Sequence, residues 1–200
     1  VLLEPYGGEI LGLSVSSTTL LTATWAAGAL VGFALAARVL ANGGNTYRMA
    51  SMGLLAGIAA FSTVILATPM NSAFLFFTGA SLIGFGGGYF AIATLTAAMT
   101  LPVEGLAGRG LALGAWGAAQ ATAAGFSTLI GGATRDGVNI VAMSGAWGDA
   151  LQTPTTGYSV VYHLEIALLF VTLIVLGRLV SQSRIAPNLN QKPTGLGLAD

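Results

Sequence analysis

The sequence predicts an all-α, polytopic membrane protein, and three observations carry that prediction. Charged residues make up only 7% of the 200, 54% are hydrophobic, and mean hydropathy is +0.81. A soluble domain carries about 25% charged residues, so this surface suits lipid rather than water. The few charges are also spaced so that uncharged runs reach the roughly 20 residues a helix needs to cross hydrocarbon. Clusters of Pro, Asn and Gly separate those runs.

The elements follow in order. The run from Ile10 to Ala37 is uncharged and predicts a first span over about 18–40. Met49 to Val103 is uncharged too, and far too long for one helix. Pro69 and Asn71 divide it, which predicts spans over 47–67 and 73–99. A fourth is expected over 110–133 and a fifth over 158–180. Between these two lies an expected outer loop, 134–157, rich in Gly, Thr and Ser and carrying Trp147; loops of that length are commonly functional. Residues 1–184 then form one transmembrane bundle, followed by a disordered tail over 185–200. The chain opens Val1-Leu-Leu-Glu-Pro5 with no initiator Met and no basic leader. It reads as starting inside something longer, with residues 1–3 ending a preceding helix.

Basic residues orient the bundle, because short cytoplasmic loops collect Lys and Arg. With the first loop outside, Arg38, Arg48, Arg109, Arg178, Arg184 and Lys192 fall inside and only Arg135 falls outside. Residue 1 is therefore expected on the periplasmic side and the C-terminus in the cytoplasm.

Several chemistries are excluded. There is no cysteine, hence no disulfide or thiolate ligand, and a single histidine, His163, rules out a multi-histidine metal site. Gly84-Phe-Gly-Gly-Gly88 lies within a span rather than after a strand, so it is not a nucleotide loop. No nucleophile–base order is visible, so no enzyme is expected. No basic run suggests nucleic acid.

What remains are packing features and a few polar groups. Glycines four apart recur: Gly28/Gly32, Gly53/Gly57, Gly84/Gly88 and Gly110/Gly114. Small residues let helices approach closely in lipid; the other reading of Gly84 and Gly88 is a surface for a flat ligand. Gln120 is the main polar residue at mid-depth, available for an interhelical hydrogen bond or a ligand carbonyl. Only 12 uncharged residues separate Glu165 from Arg178, about 18 Å of helix. Either Glu165 lies within the membrane, a functional hypothesis by default with Arg135 as a candidate partner, or it marks an outer interface shared with His163. His163 and Glu165, two apart, point to different sides of a helix, whereas Tyr162 and Glu165 share one. Arg135-Asp136, and Glu4 or Glu9, are expected as interface groups on the outer side, in surface ion pairs or loop caps.

Three segments carry a resemblance. Leu2-Leu-Glu-Pro-Tyr-Gly-Gly-Glu9, followed by Leu11-Gly-Leu-Ser14, resembles the PucC/LhaA group, the bacteriochlorophyll-delivery branch of the major facilitator superfamily. Gly114-Ala-Trp-Gly-Ala-Ala-Gln-Ala-Thr-Ala-Ala-Gly125, leading to Gly131-Gly132 and Arg135-Asp136, is similar to that group's eleventh helix. Tyr158 to Glu165 is similar to the start of its twelfth. The wider superfamily's cytoplasmic loop motif survives only as Gly32, Arg38, Gly44 and Arg48, without its acidic member.

The resemblance implies the C-terminal six-helix half of a major-facilitator-type bundle, seen here as five full spans plus the end of a preceding helix. It implies a factor that assembles bacterial light-harvesting antenna complexes in the intracytoplasmic photosynthetic membrane, delivering or shielding bacteriochlorophyll. Antenna polypeptides, a reaction centre–antenna complex and bacteriochlorophyll or its synthase are the implied partners. The alternatives are a secondary transporter of an amphipathic solute and a structural subunit of a photosynthetic complex. Candidate pigment- or partner-binding residues are Glu4, Tyr6, Gly84, Gly88 and Trp116. Gln120, Arg135, Tyr162, His163 and Glu165 complete the set, with His163 a candidate ligand to chlorin magnesium.

Overall fold

A computed structural model describes residues 2–100 and 105–185, and every regular element among them is helical. The helices are α1 (Leu3–Glu9), α2 (Val15–Ala41), α3 (Thr46–Ala67), α4 (Ala73–Met99), α5 (Gly105–Met143) and α6 (Thr155–Ile185), with a single 3-10 turn at Asp149–Leu151. Side-chain oxygens start three of them. Ser14 accepts from the Ser17 N–H, Asn45 from those of Tyr47 and Arg48, and Ser72 from that of Leu75. These caps satisfy amide donors that have no partner within the helix. Between α2 and α3, Gly43 adopts φ +77°, and the next residue's N–H bonds back to the Val39 carbonyl, closing the turn.

α4 is central, flanked by α2 and α3, while α6 packs on α3 and α5. Glycine makes the central contacts possible. A Cβ on Gly28 would meet the Ser81 carbonyl and one on Gly84 the Trp25 carbonyl. One on Gly88 would lie 2.6 Å from the Ala29 oxygen, and one on Gly86 2.8 Å from that of Gly53. The Gly84–Gly88 cluster is therefore consumed by packing on both neighbours, and only Gly87 faces open space. Buried residues form two groups: one around Tyr6, Phe76, Tyr158 and Tyr162, and another around Ala36, Met49, Tyr89 and Ala93. Large apolar side chains such as Leu30, Leu55, Phe170 and Ile174 point outwards, as they do on helices solvated by lipid.

Among the described residues, four helices are long and apolar enough to cross a membrane: α2, α3, α4 and α6 over Thr155–Arg178. The protein is a multi-pass, all-α membrane protein. Three expectations need correcting. The expected fourth span, 110–133, lies inside α5, which at 39 residues is long enough but is not among those four. Its middle is Gly, Ala, Thr and Gln rather than Leu, Ile and Phe. The expected loop 134–157 is largely helix: α5 continues to Met143 and α6 begins at Thr155. The opening helix does not end near Leu3 but carries the whole motif to Glu9. The tail 186–200 lies outside the described residues.

Candidate functional site

The site is a clasp at one end of the bundle. It gathers α1, the end of α3, the start of α4, the extension of α5 and the start of α6. Pro5 lies within the first turn of α1, where its missing N–H costs nothing, and Tyr6 follows, 2% exposed. The Tyr6 ring lies 5.4 Å from Phe76, and meets Tyr158 and Tyr162 edge-on at 5.2 and 5.3 Å. Its hydroxyl bonds the hydroxyl of Thr68, just past α3. Tyr162 in turn packs against Phe61 and donates to the Leu2 carbonyl at 3.4 Å.

A polar layer closes over these rings. The guanidinium of Arg135 pairs with Glu9 and, at 2.8 Å, with Asp136. It also stacks 4.6 Å above the Tyr158 ring, whose hydroxyl donates to Glu9 at 2.9 Å. The Asn139 side chain accepts from the Gly157 N–H at 2.9 Å, and a Cβ on Gly157 would lie 2.6 Å from the Arg135 carbonyl. Glycine there lets α6 touch α5. Glu9 is 48% exposed, so its ion pair contributes at most about 1 kcal/mol. Each aromatic pair adds about 0.5–1.5 kcal/mol beyond its buried area. The rings therefore hold the clasp, and the charges set its register.

The sequence candidates fall into distinct places. Tyr6, Arg135 and Tyr162 meet in the clasp. Glu4 accepts from Thr22 and lines a cavity of about 180 Å³ with Leu3, Leu21 and Trp25. Gly84 and Gly88 lie in helix contacts, against the Trp25 and Ala29 backbone. The Trp116 indole donates to Thr94 at 3.3 Å, joining α5 to α4. Gln120 is exposed, and the interhelical bond expected of it is not formed among the described residues. The expected Arg135–Glu165 pair is not formed either: Arg135 is taken by Glu9 and Asp136, while Glu165 turns into a small pocket between α3, α5 and α6. Of the groups expected to form ion pairs or loop caps, Arg135 pairs with Glu9 and Asp136.

His163 is exposed on the other side of α6, with Nδ1 2.7 Å from the Ser159 carbonyl. When Nδ1–H donates to that carbonyl, Nε2 carries the lone pair and faces outwards, the arrangement metal-ligating histidines use. Among the described residues no cluster of three or more His, Asp or Glu is placed to hold a metal ion. Thr68, Asn139 and Gly157 were not singled out from the sequence. Gly157 precedes the quoted Tyr158 motif, and Asn139 follows Arg135 by one turn on the same helix face, a spacing visible only once 134–143 is known to be helical.

Parts of the three segments that carry the family resemblance therefore converge: the opening motif, Arg135-Asp136 and Tyr158 to Tyr162. Comparison with known proteins agrees with them. The model of the family described as "PUCC protein" matches residues 1–184. An "Uncharacterized protein in puhA-bchM intergenic region" from Rhodobacter capsulatus is 53% identical over 204 residues, covering 100% of this chain and 42% of that protein. "Protein PucC" from Cereibacter sphaeroides is 45% identical over 190 residues, covering 94% and 40%. "Bacteriochlorophyll synthase 44.5 kDa chain" from Rhodobacter capsulatus is 34% identical over 142 residues, covering 68% and 32%. The chain thus spans about two fifths or less of the length of these relatives. No solved structure matches it.

Proposed function

The chain belongs to the PucC family, and from that premise we propose that it serves in assembling bacterial light-harvesting antenna complexes, delivering or shielding bacteriochlorophyll without catalysing a reaction. One observation carries this reading. The family match spans nearly the whole chain, and one relative is named as a bacteriochlorophyll synthase chain. The structure supports it in two ways. Residues 118–130 of α5, mostly Gly, Ala, Ser and Thr with Phe126, Leu129 and Ile130 among them, are exposed all round, and small side chains let a flat macrocycle lie close to a helix. His163 would hold the metal of such a ring through Nε2, with Nδ1 engaged by the Ser159 carbonyl. Bacteriochlorophyll, when bound, supplies the magnesium that such a nitrogen ligates; the chain's own part is to hold the ring and exclude water.

The proposed partners are antenna polypeptides, a reaction centre–antenna complex and bacteriochlorophyll synthase. The proposed setting is the intracytoplasmic photosynthetic membrane, as part of a major-facilitator-type bundle. The clasp is taken to face the periplasm and Arg38 and Arg48 the cytoplasm. Gentle purification from phototrophic membranes tests the function. Chlorin absorption and antenna polypeptides should co-elute with the protein in variable, substoichiometric amounts. A constant ratio in mature complexes would make it a structural subunit instead, and a pigment-free, partner-free protein would remove the assembly reading.

A further inference from the structure

The clasp uses Tyr6 and Glu9 of the opening motif and leaves Glu4 out. Glu4 lies on the same short helix but meets the other neighbour, α2, where the Thr22 hydroxyl donates to its Oε1. Glu9 has Arg135 as a partner. Among the described residues no basic side chain pairs with Glu4, and Arg135 is already engaged by Glu9 and Asp136.

The carboxylate borders a cavity of about 180 Å³, lined by Leu3, Glu4, Leu21, Thr22 and Trp25. Its floor is fixed. Leu3 and Leu21 are 4% and 1% exposed and belong to the same packed group as Tyr6 and Phe76. Its rim is open, because Glu4, Thr22 and Trp25 are all exposed. Thr22 and Trp25 lie three apart on α2 and so share a face of that helix.

This lining selects a class of ligand. One carboxylate and one hydroxyl fall far short of the six or more oxygens that a hard metal ion takes, and the remaining walls are apolar. An anion would meet the negative charge. A neutral apolar molecule would displace water from the carboxylate and offer nothing in return. An organic cation answers both features, with its charge against Glu4 and its carbon body against Leu3 and Leu21. The indole strengthens the choice, since a ring face attracts cations and Trp does so best. Access is from the lipid side as much as from water. α2 is long and apolar enough to cross a membrane, and Thr22 stands about 10 Å along it from Val15 at 1.5 Å per residue. A hydrated inorganic ion has no reason to leave water for such a place, whereas a lipid-soluble cation does.

We propose that Glu4 and Trp25 form a binding site for a lipophilic organic cation, an alkylated ammonium on an apolar body, where α1 meets α2. Glu4 supplies the counter-charge, Thr22 holds its carboxylate in place, and Trp25 covers the cation. The site does not depend on the assembly reading, since it is argued from the cavity alone.

Phenyltrimethylammonium and its uncharged isostere tert-butylbenzene test it. Both are titrated into the detergent-solubilised protein by equilibrium dialysis, each corrected for its partition into protein-free micelles. The unmutated protein should hold the cation about tenfold more tightly than the isostere. Glu4→Gln should abolish that preference while tert-butylbenzene still binds. Trp25→Leu should weaken the cation about twofold to fivefold. Asp149→Asn, which removes a carboxylate elsewhere on the chain, should change neither affinity. Equal binding of the two compounds by the unmutated protein would overturn the proposal, as would a preference that survives Glu4→Gln. A second measurement needs no change at Glu4. Of the three indole N–H resonances, the one that the cation shifts should be the one missing from Trp25→Leu. A shifted resonance that remains in that variant would place the cation elsewhere and sink the assignment.

Discussion

Arg135 has two kinds of partner in the clasp, and their separate removal distinguishes them. Glu9→Gln keeps the shape and the hydrogen bond from Tyr158 while removing the charge. It should cost no more than about 1 kcal/mol, the value of a half-exposed pair. Arg135→Ala also removes the guanidinium from the face of Tyr158 and should cost about 1–3 kcal/mol. Thermal melting of the detergent-purified protein measures both; equal losses would show the ion pair, not the stacking, to be the stronger element. Tyr6→Leu removes three aromatic contacts and should exceed either change. His163→Phe should leave the amount of folded protein unchanged, since the ring is exposed and its hydrogen bonds reach only Ser159. The absorption spectrum of the same preparation reports whether Nε2 holds pigment.

Among the helices, glycine decides how closely neighbours sit, and the structure separates glycines that only a sequence reader would group. Gly84→Ala places a methyl on the Trp25 carbonyl, which backbone can relieve only by moving α2 away. A loss of about 1–3 kcal/mol is expected, as for overpacking elsewhere. Gly87→Ala, three residues on, meets nothing within 4 Å and should be neutral or slightly stabilising, since Ala suits a helix better than Gly by about 1 kcal/mol. Folded yield and melting temperature of the two variants, side by side, check this. Equal behaviour would mean that close α2–α4 contact does not limit stability. Gly157→Ala should resemble Gly84→Ala, because α6 has no other route past the Arg135 carbonyl. Recurrent spacing was legible in the sequence, but not which glycines are used. Gly110 and Gly114 share the spacing of Gly84 and Gly88, yet a Cβ on either meets nothing within 4 Å.

Across the whole molecule the proposed orientation makes the clasp periplasmic and the Arg38–Arg48 turn cytoplasmic. A reporter active only outside the cytoplasm should work when fused at Ala146, beyond the end of α5, and fail at Asn188. The opposite pattern would invert the orientation. Sequence alone determined that the chain is a helical membrane protein and roughly where its helices run. A charge in hydrocarbon costs so much that its placement along the chain marks helix ends without reference to anything distant. It also marked the opening motif, Arg135-Asp136 and Tyr158 to Glu165 as segments of interest. Only the tertiary structure decided that these three are one site. Contacts between residues as far apart as Glu9 and Arg135 depend on how four helices stack, which no local pattern encodes. The same reason explains the misplaced end of α5. Arg135 and Asp136 read locally as the edge of a loop, but a guanidinium lying on Tyr158 and paired with Glu9 through a terminal nitrogen is held within a helix, and the helix continues to Met143.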